Sequence, residues 1–411
     1  MKPNLLFVSH VIPLNVSSGQ KQRVLNMLLA SKRYFRVIFL TYARSDKADK
    51  VKEEMAGIVD DCIVIPEAND PLPRLWHGFR SVLYGFRTGL KVSNYQINEV
   101  NLTYEKIRDH LGENEIDLVI YEYWHAWKSV QLFNERKIPT FLDMHDILSS
   151  AYKGQLEQKR WLPKYLKGRF LKQYTAEEFR AWSRFDGIIS INQLELEAVR
   201  KVVKTENLLF CPMGVDLEQW KYSYSPEKPT RFGFYGGLGG KVNQRQALYS
   251  YHDIMPIIWK EIPDAEFWFI GSKPSEAIKK IPLSDARVKV TGYVEDISSV
   301  LSSMTAIFCP WEGIFGFRSR IIELMALGVP VISSPDGVAG MGLTLGEGIL
   351  IADTTEAFAK LATQLANDIK YAFEQSRAAR KAVEVDFSLE TTYGKLFQEL
   401  YSWLKNNKEA Y

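Results

Sequence analysis

The stretch CPWEGIFGFRSRIIELMALGVPVISS, residues 309–334, decides how the rest of the chain is read. An apolar run ends at Cys309 and Pro310, and a loop containing glycine follows. A helical stretch then carries Arg318, Arg320 and Glu323, stops at Gly328, and gives way to a new apolar run at Pro330. Strand, loop, helix and strand in that order make one βαβ unit. Runs that are apolar throughout, rather than alternating, belong to strands covered on both faces of a parallel sheet.

The same theme extends in both directions. Apolar runs lie at residues 4–9, 36–42, 62–66, 117–123, 139–145, 186–192 and 208–212. A second series lies at 231–237, 265–271, 288–293, 306–311, 330–334 and 348–352. Thirteen strands are too many for one compact sheet. A break falls after PMGVD (residues 212–216), where EQWKYSYSPEKPTR is polar, contains proline and lacks helical periodicity. The expected architecture is α/β, with two Rossmann-like doubly wound parallel-sheet domains facing a central cleft. The N-terminal domain spans residues 1–215 and the C-terminal domain 216–388. Residues 389–411 form an amphipathic helix, with Tyr393, Leu396, Leu400 and Leu404 near a 3.6-residue repeat, that packs back toward the N-terminal domain.

Composition narrows the function classes. Of 411 residues, 46% are hydrophobic and 25% charged, a balance that excludes a disordered chain. Lys and Arg total 52 against 49 Asp and Glu, so the net charge of +3 gives no reason to propose nucleic acid as a partner. No apolar run reaches the roughly 18 residues of a spanning helix, and the first residues read as a buried strand rather than a secretory signal. The cysteines, Cys62, Cys211 and Cys309, are odd in number, far apart and set in apolar runs. They read as core residues of a cytoplasmic protein, with neither disulfide nor metal spacing.

Ligands in such sheets bind outside the carboxyl ends of the strands, so the residues there carry the chemistry. After the first strand, Gly19 and its neighbouring serines can turn backbone N–H groups toward an anion at a helix start, although an ordinary βα turn explains them equally well. His145 and Asp146 end the fifth strand, and Glu122 and His125 end the fourth. His145 is suited either to a sugar hydroxyl or to a satisfied place in the core. The second domain opens with FYGGLGGKVN, in which Gly237, Gly239 and Lys241 suit phosphate, though a tight turn would look alike. The loop is not a Walker loop, and the first strand lacks the dinucleotide fingerprint. Gly316, Arg318 and Arg320, at a strand-to-helix junction, make a diphosphate site, and Glu323, one turn on, can accept from a ribose diol. A plain i,i+3 ion pair of Arg320 with Glu323 is the competing account.

On these residues the chain resembles the GT-B glycosyltransferases, and among them family 4 of the retaining enzymes (glycosyl transferases group 1). GFRSRIIELMALGVPVISS resembles the family's G-x-R-x-K-x-x-E-x-M-A-x-G-x-P-V donor signature. YTAEEFRAWSRFDGIISIN and NLLFCPMGVD resemble the segment leading to its N-G-V-D region, and LDMHD the segment bearing the active-site histidine. The resemblance implies that Glu323 holds the nucleotide's ribose and that Arg318, Arg320 and Lys241 hold its diphosphate. It further implies that His145 contacts the transferred sugar and that Gly19 lies in the loop approaching the phosphate. His145, Arg318 and Glu323 are thus the catalytic candidates. No metal or cofactor is expected beyond a UDP- or GDP-linked sugar as donor. The implied reaction is sugar transfer to a hydroxyl with retention, in cell-surface polysaccharide or glycolipid biosynthesis.

The partners implied are the nucleotide-sugar donor and a glycan or glycolipid acceptor. Residues 74–91 and 153–174 mix basic and aromatic side chains, including Lys159, Arg160, Trp161, Lys164, Lys167 and Arg169. They fit peripheral contact with the inner face of a membrane, or basic side chains snorkelling from a docked helix. The sequence departs from the family pattern twice. Phe315 stands where the first Glu of a Glu-x7-Glu pair is usual, with Glu312 the nearest acid upstream, and Gly237 stands near a position that usually holds Arg. A nucleotide-sugar epimerase of the same fold and a non-catalytic binding subunit are the alternatives.

Overall fold

A computed structural model of the chain describes residues 2–16, 18–67, 101–313 and 316–407. All thirteen expected strands lie among them. The chain divides into two compact units, Met1–Pro212 with Tyr393–Tyr411, and Met213–Thr392.

The first unit is built on seven strands: β1 (Asn4–Val8), β2 (Arg36–Arg44), β3 (Asp61–Glu67), β4 (Leu118–Glu122), β5 (Thr140–Met144), β6 (Gly187–Ser190) and β7 (Asn207–Phe210). Their order is β3-β2-β1-β4-β5-β6-β7, with every neighbouring pair parallel. β1 and β4 are buried along almost their whole length, as expected of strands covered on both faces. Leu6, Val8, Ile38, Val119, Tyr121 and Leu142 join one core cluster with Trp124, Phe133 and Trp182. The helix Lys395–Asn407 serves the same unit, because Phe397 lies 6.3 Å from both Phe7 and Phe35 and Trp403 lies 5.3 Å from Phe141. Tyr393, Leu396, Leu400 and Leu404 are all buried, so the apolar stripe of the sequence is the covered stripe of the helix.

The second unit holds β8 (Arg231–Tyr235), β9 (Glu266–Ile270), β10 (Val288–Gly292), β11 (Ala306–Cys309), β12 (Val331–Ser333) and β13 (Ile349–Ile351). Their order is β10-β9-β8-β11-β12-β13, again parallel throughout. The polar stretch 218–231 belongs to this unit. Ser223, Ser225 and Glu227 donate their backbone N–H groups to the carbonyls of Leu327, Ser302 and Ser303, and Tyr224 enters the core. Its polar composition reflects a segment tied down by backbone bonds, with Tyr224 and Thr230 its buried side chains. The helix Ser319–Leu327 ends at Gly328, whose φ of +81° suits glycine, and a Cβ there would sit 2.4 Å from the Tyr222 ring.

The three cysteines are buried and unpaired. Among the described residues, no helix is long and apolar enough to cross a membrane. Of the two basic-aromatic segments, residues 74–91 lie outside the described residues. The other forms the helices Leu148–Gln158 and Lys164–Trp182; Trp161 between them and Tyr165 in the first turn of the second stand 77% and 74% exposed.

Candidate active site

Each sheet reverses its strand order once, between β1 and β4 in the first unit and between β8 and β11 in the second. Loops leaving the carboxyl ends of such strands diverge and leave a crevice where ligands bind. The candidate residues gather near these two places, one set in each unit.

In the second unit, Tyr235 ends β8 and turns toward the helix Ser319–Leu327. Its hydroxyl donates to Glu323 Oε2 at 3.4 Å, and the Arg320 guanidinium lies 5.6 Å from its ring centroid. Gly236 follows directly; a Cβ there would lie 3.3 Å from the Phe234 ring and in ordinary contact, 3.6 Å, with Arg320 Nη1. The neighbouring loop is where glycine is required, since a Cβ on Gly271 would meet the Gly236 carbonyl oxygen at 1.8 Å. Arg320 and Glu323 form no ion pair among the described residues, which removes the simple helix-pair account of their spacing. Burial raises the Glu323 carboxyl above its usual range, and Arg320 only partly offsets it. Burial and the Glu323 charge also raise the Tyr235 hydroxyl.

Arg318 occupies the position just before the helix. It donates to the Gly313 carbonyl at 3.3 Å and lies 5.4 Å from the Trp311 ring centroid. No side chain caps this helix, and of its first N–H groups that of Ile321 donates to the Arg318 carbonyl at 2.9 Å. Gly316 lies in the loop that feeds it, with φ of +73°. Gly237 accepts a hydrogen bond from Asn243 Nδ2 through its carbonyl, and Gly239 packs against Lys273. Lys241 is the first residue of the helix Lys241–Tyr249, exposed and without an ion pair among the described residues. Glu312 pairs with Arg245 at 2.6 Å on the exposed surface, and Phe315 lies outside the described residues.

In the first unit, Gly19 opens the helix Gly19–Ser31 behind the N-cap Ser18, at an exposed position. His145 follows β5 and is buried. Its Nε2 lies 2.7 Å from Glu122 Oε2 and 3.4 Å from Asp143 Oδ2, and its ring stacks on Tyr123 at 4.2 Å and 11°. Below it, Arg23 grips both oxygens of Asp143, Nε to Oδ2 at 2.7 Å and Nη2 to Oδ1 at 2.6 Å, with neither side chain exposed. A third Arg23 nitrogen donates to the Cys211 carbonyl at 3.0 Å. Burial alone would raise the Asp143 carboxyl, yet Arg23 holds it below its usual range. Glu122, buried and beside the charge of Asp143, is pushed well above its own. The Glu122, Asp143 and His145 atoms lie within 4.8 Å of one another. With both Asp143 oxygens bridged by a guanidinium, the trio is a proton-sharing network and a poor cage for a dication.

Burial lowers His145 to about 4, and burial together with the His145 charge lowers His10 to about 4. Both start from 6.5 in the unfolded chain, so the unfolded state binds more protons between pH 6.5 and 4. The stability they contribute is present above pH 6.5 and is lost as pH falls through 4, at roughly 1.4 kcal/mol per pH unit for each histidine in that window. The buried Glu122 and Glu178 carboxyls, both raised by burial, act in the opposite direction over the same range, so the histidine share is read by difference: between pH 7 and 4.5 the melting midpoint of His10→Asn should fall less than that of the wild type. An unchanged slope in that variant would refute the assignment.

Sequence reasoning passed over Arg23, Asp143 and Tyr235 as parts of these sites. The signal existed: Arg23 breaks the apolar stripe of Val24, Met27 and Leu28, and Asp143 sits inside the apolar run TFLDM. A charge in an apolar run must find a partner.

The two parallel-sheet domains have the GT-B fold of glycosyltransferases. Residues 229–368 match the family model described as glycosyl transferases group 1. Sucrose-phosphate synthase from Thermosynechococcus elongatus is similar in structure, with a TM-score of 0.67 at 18% identity, over 98% of this chain and 100% of that one. HepE from Anabaena, in complex with UDP and glucose, gives 0.58 at 13% identity, over 97% and 100%. The lipopolysaccharide outer core galactosyltransferase WaaB gives 0.60 at 14% identity, over 97% and 99%. No curated protein matches the sequence.

Proposed function

We propose that this protein is a retaining glycosyltransferase that moves a hexose from a nucleotide diphosphate sugar to a hydroxyl, without a metal ion. The observation that carries this reading is the cluster of Tyr235, Arg320 and Glu323, with Arg318 at an uncapped helix start, at the strand reversal of the unit matching the group 1 model. Charge builds on the departing β-phosphate as the glycosidic bond breaks. Guanidinium groups and the first N–H groups of the helix stabilise that charge, the dominant way an enzyme of this kind lowers its barrier. Glu323 offers carboxyl oxygens to a ribose diol. The departing phosphate then takes the acceptor's proton, so the site needs no separate base. HepE's complex with UDP and glucose favours UDP-hexoses as the first donors to try.

A thermal-shift screen with UDP-, GDP- and ADP-sugars, followed by assay of released nucleoside diphosphate with and without acceptor, tests the reading. One donor should raise the melting temperature and turn over faster with acceptor. Interconversion of donors without transfer, or binding without turnover, would overturn it.

We further place the acceptor at a membrane or cell-surface glycan. WaaB's action on lipopolysaccharide supports this, and so do Trp161 and Tyr165, exposed beside Lys159, Arg160 and Lys164. Aromatic rings with basic neighbours suit the headgroup layer of an anionic bilayer. The protein should sediment with vesicles containing phosphatidylglycerol, and Trp161→Ala with Tyr165→Ala should weaken this at least threefold. Sedimentation indifferent to lipid charge and to salt would count against it.

A further inference from the structure

The carboxyl end of β4 holds a group that this reaction leaves without a task. Glu122 is buried, its Oε2 meets His145 Nε2 at 2.7 Å, and its Oε1 accepts no hydrogen bond. Two carboxyls therefore share one guanidinium, and Arg23 spends its contacts on Asp143. A second buried carboxylate would stand uncompensated, at a cost of several kcal/mol. An imidazolium at His145 would balance the count, but it would bury four charges in place of two and lie beside Arg23. The arrangement with least buried charge keeps a proton on Glu122, turned toward Asp143. The opposite directions in which burial drives Glu122 and His145 agree with it. His145 Nε2 then donates to Glu122 Oε2, and Nδ1 is left as a lone-pair acceptor with no hydrogen bond among the described residues.

Tyr123 supplies an independent observation. Its backbone sits at φ +67° and ψ 152°, a strained place for a residue with a side chain, and the result is a ring lying flat on His145. Such strain persists where the surroundings enforce it, and functional sites are where it gathers. One edge of the imidazole is pinned by Glu122 and one face by Tyr123, which leaves the Nδ1 edge for a ligand.

We propose that Glu122 is a positioning residue that fixes His145 as the Nε2–H tautomer, so that Nδ1 is presented as the acceptor for a substrate hydroxyl. The proposal rests on the glycosyltransferase reading for the identity of that hydroxyl, and on the geometry around the imidazole for the tautomer.

Long-range 1H–15N spectra of the labelled full chain at pH 7.5 test it directly. There are six histidines, and His145→Asn assigns the signal. The wild type should show a neutral ring protonated at Nε2. Glu122→Gln, whose carbonyl can accept from Nε2–H while its amide donates to Asp143, should keep both that tautomer and kcat/KM for the donor within about threefold. Glu122→Ala should mix the tautomers and lower kcat/KM at least tenfold while nucleoside diphosphate affinity stays unchanged, a split that a folding defect would not produce. An imidazolium or an Nδ1–H ring in the wild type, or Glu122→Gln as impaired as Glu122→Ala, would overturn the proposal. Should Glu122→Ala not fold, the wild-type and Glu122→Gln spectra still decide. Absence of turnover with every donor would instead sink the glycosyltransferase reading, with the tautomer still readable in the free protein.

Discussion

Arg23→Ala is expected to cost the first unit about 3–5 kcal/mol, the range for removing one partner of a buried ion pair. The loss comes less from the attraction forfeited than from the Asp143 carboxylate left in a dry interior with no counter-charge. Both its oxygens are bound by Arg23, and neither side chain reaches solvent. The Cys211 carbonyl loses a donor in the same change. Urea unfolding followed by fluorescence should show the loss as a lower midpoint at unchanged slope. The double variant Arg23→Met with Asp143→Leu should recover much of it, because two well-packed apolar side chains can replace a buried pair at little cost. A single variant within 1 kcal/mol of wild type, roughly the worth of an exposed pair, would show that the pair is open to water.

The second large effect is on turnover. Glu323→Ala and Arg318→Ala should each lower kcat/KM for the donor at least tenfold, above about 1.4 kcal/mol of transition-state stabilisation. The two should differ in kind. Glu323→Ala removes a contact expected to be equally strong before and during reaction, so donor KM should rise with it. Arg318→Ala removes charge that matters most as the diphosphate departs, so kcat should carry its loss. Wild-type turnover in both folded variants would overturn the assignment of this helix start as the donor site.

The strands were legible because each is a short β-branched or aromatic run, and because strands covered on both faces need no alternation to be seen. The grouping of Arg318, Arg320 and Glu323 was legible too, since they occupy one helix start, where spacing in sequence is spacing in space. The first unit's network was harder. Arg23 and Asp143 are 120 residues apart, and the contact between them depends on β1, β4 and β5 lying side by side. Tyr123 was opaque for another reason, since a tyrosine with positive φ has no compositional mark. The role of residues 218–231 was obscured by composition, because a polar segment held by main-chain bonds reads like a linker.

The return of the last helix to the first sheet has a consequence for how the protein is made. A ribosome releases Phe7, Phe35 and Phe141 early, but their aromatic partners Phe397 and Trp403 emerge only after the whole of the second unit. The later-synthesised unit is one continuous segment and can complete itself first. The earlier one must wait, with a greasy face uncovered, until the helix Lys395–Asn407 has been made.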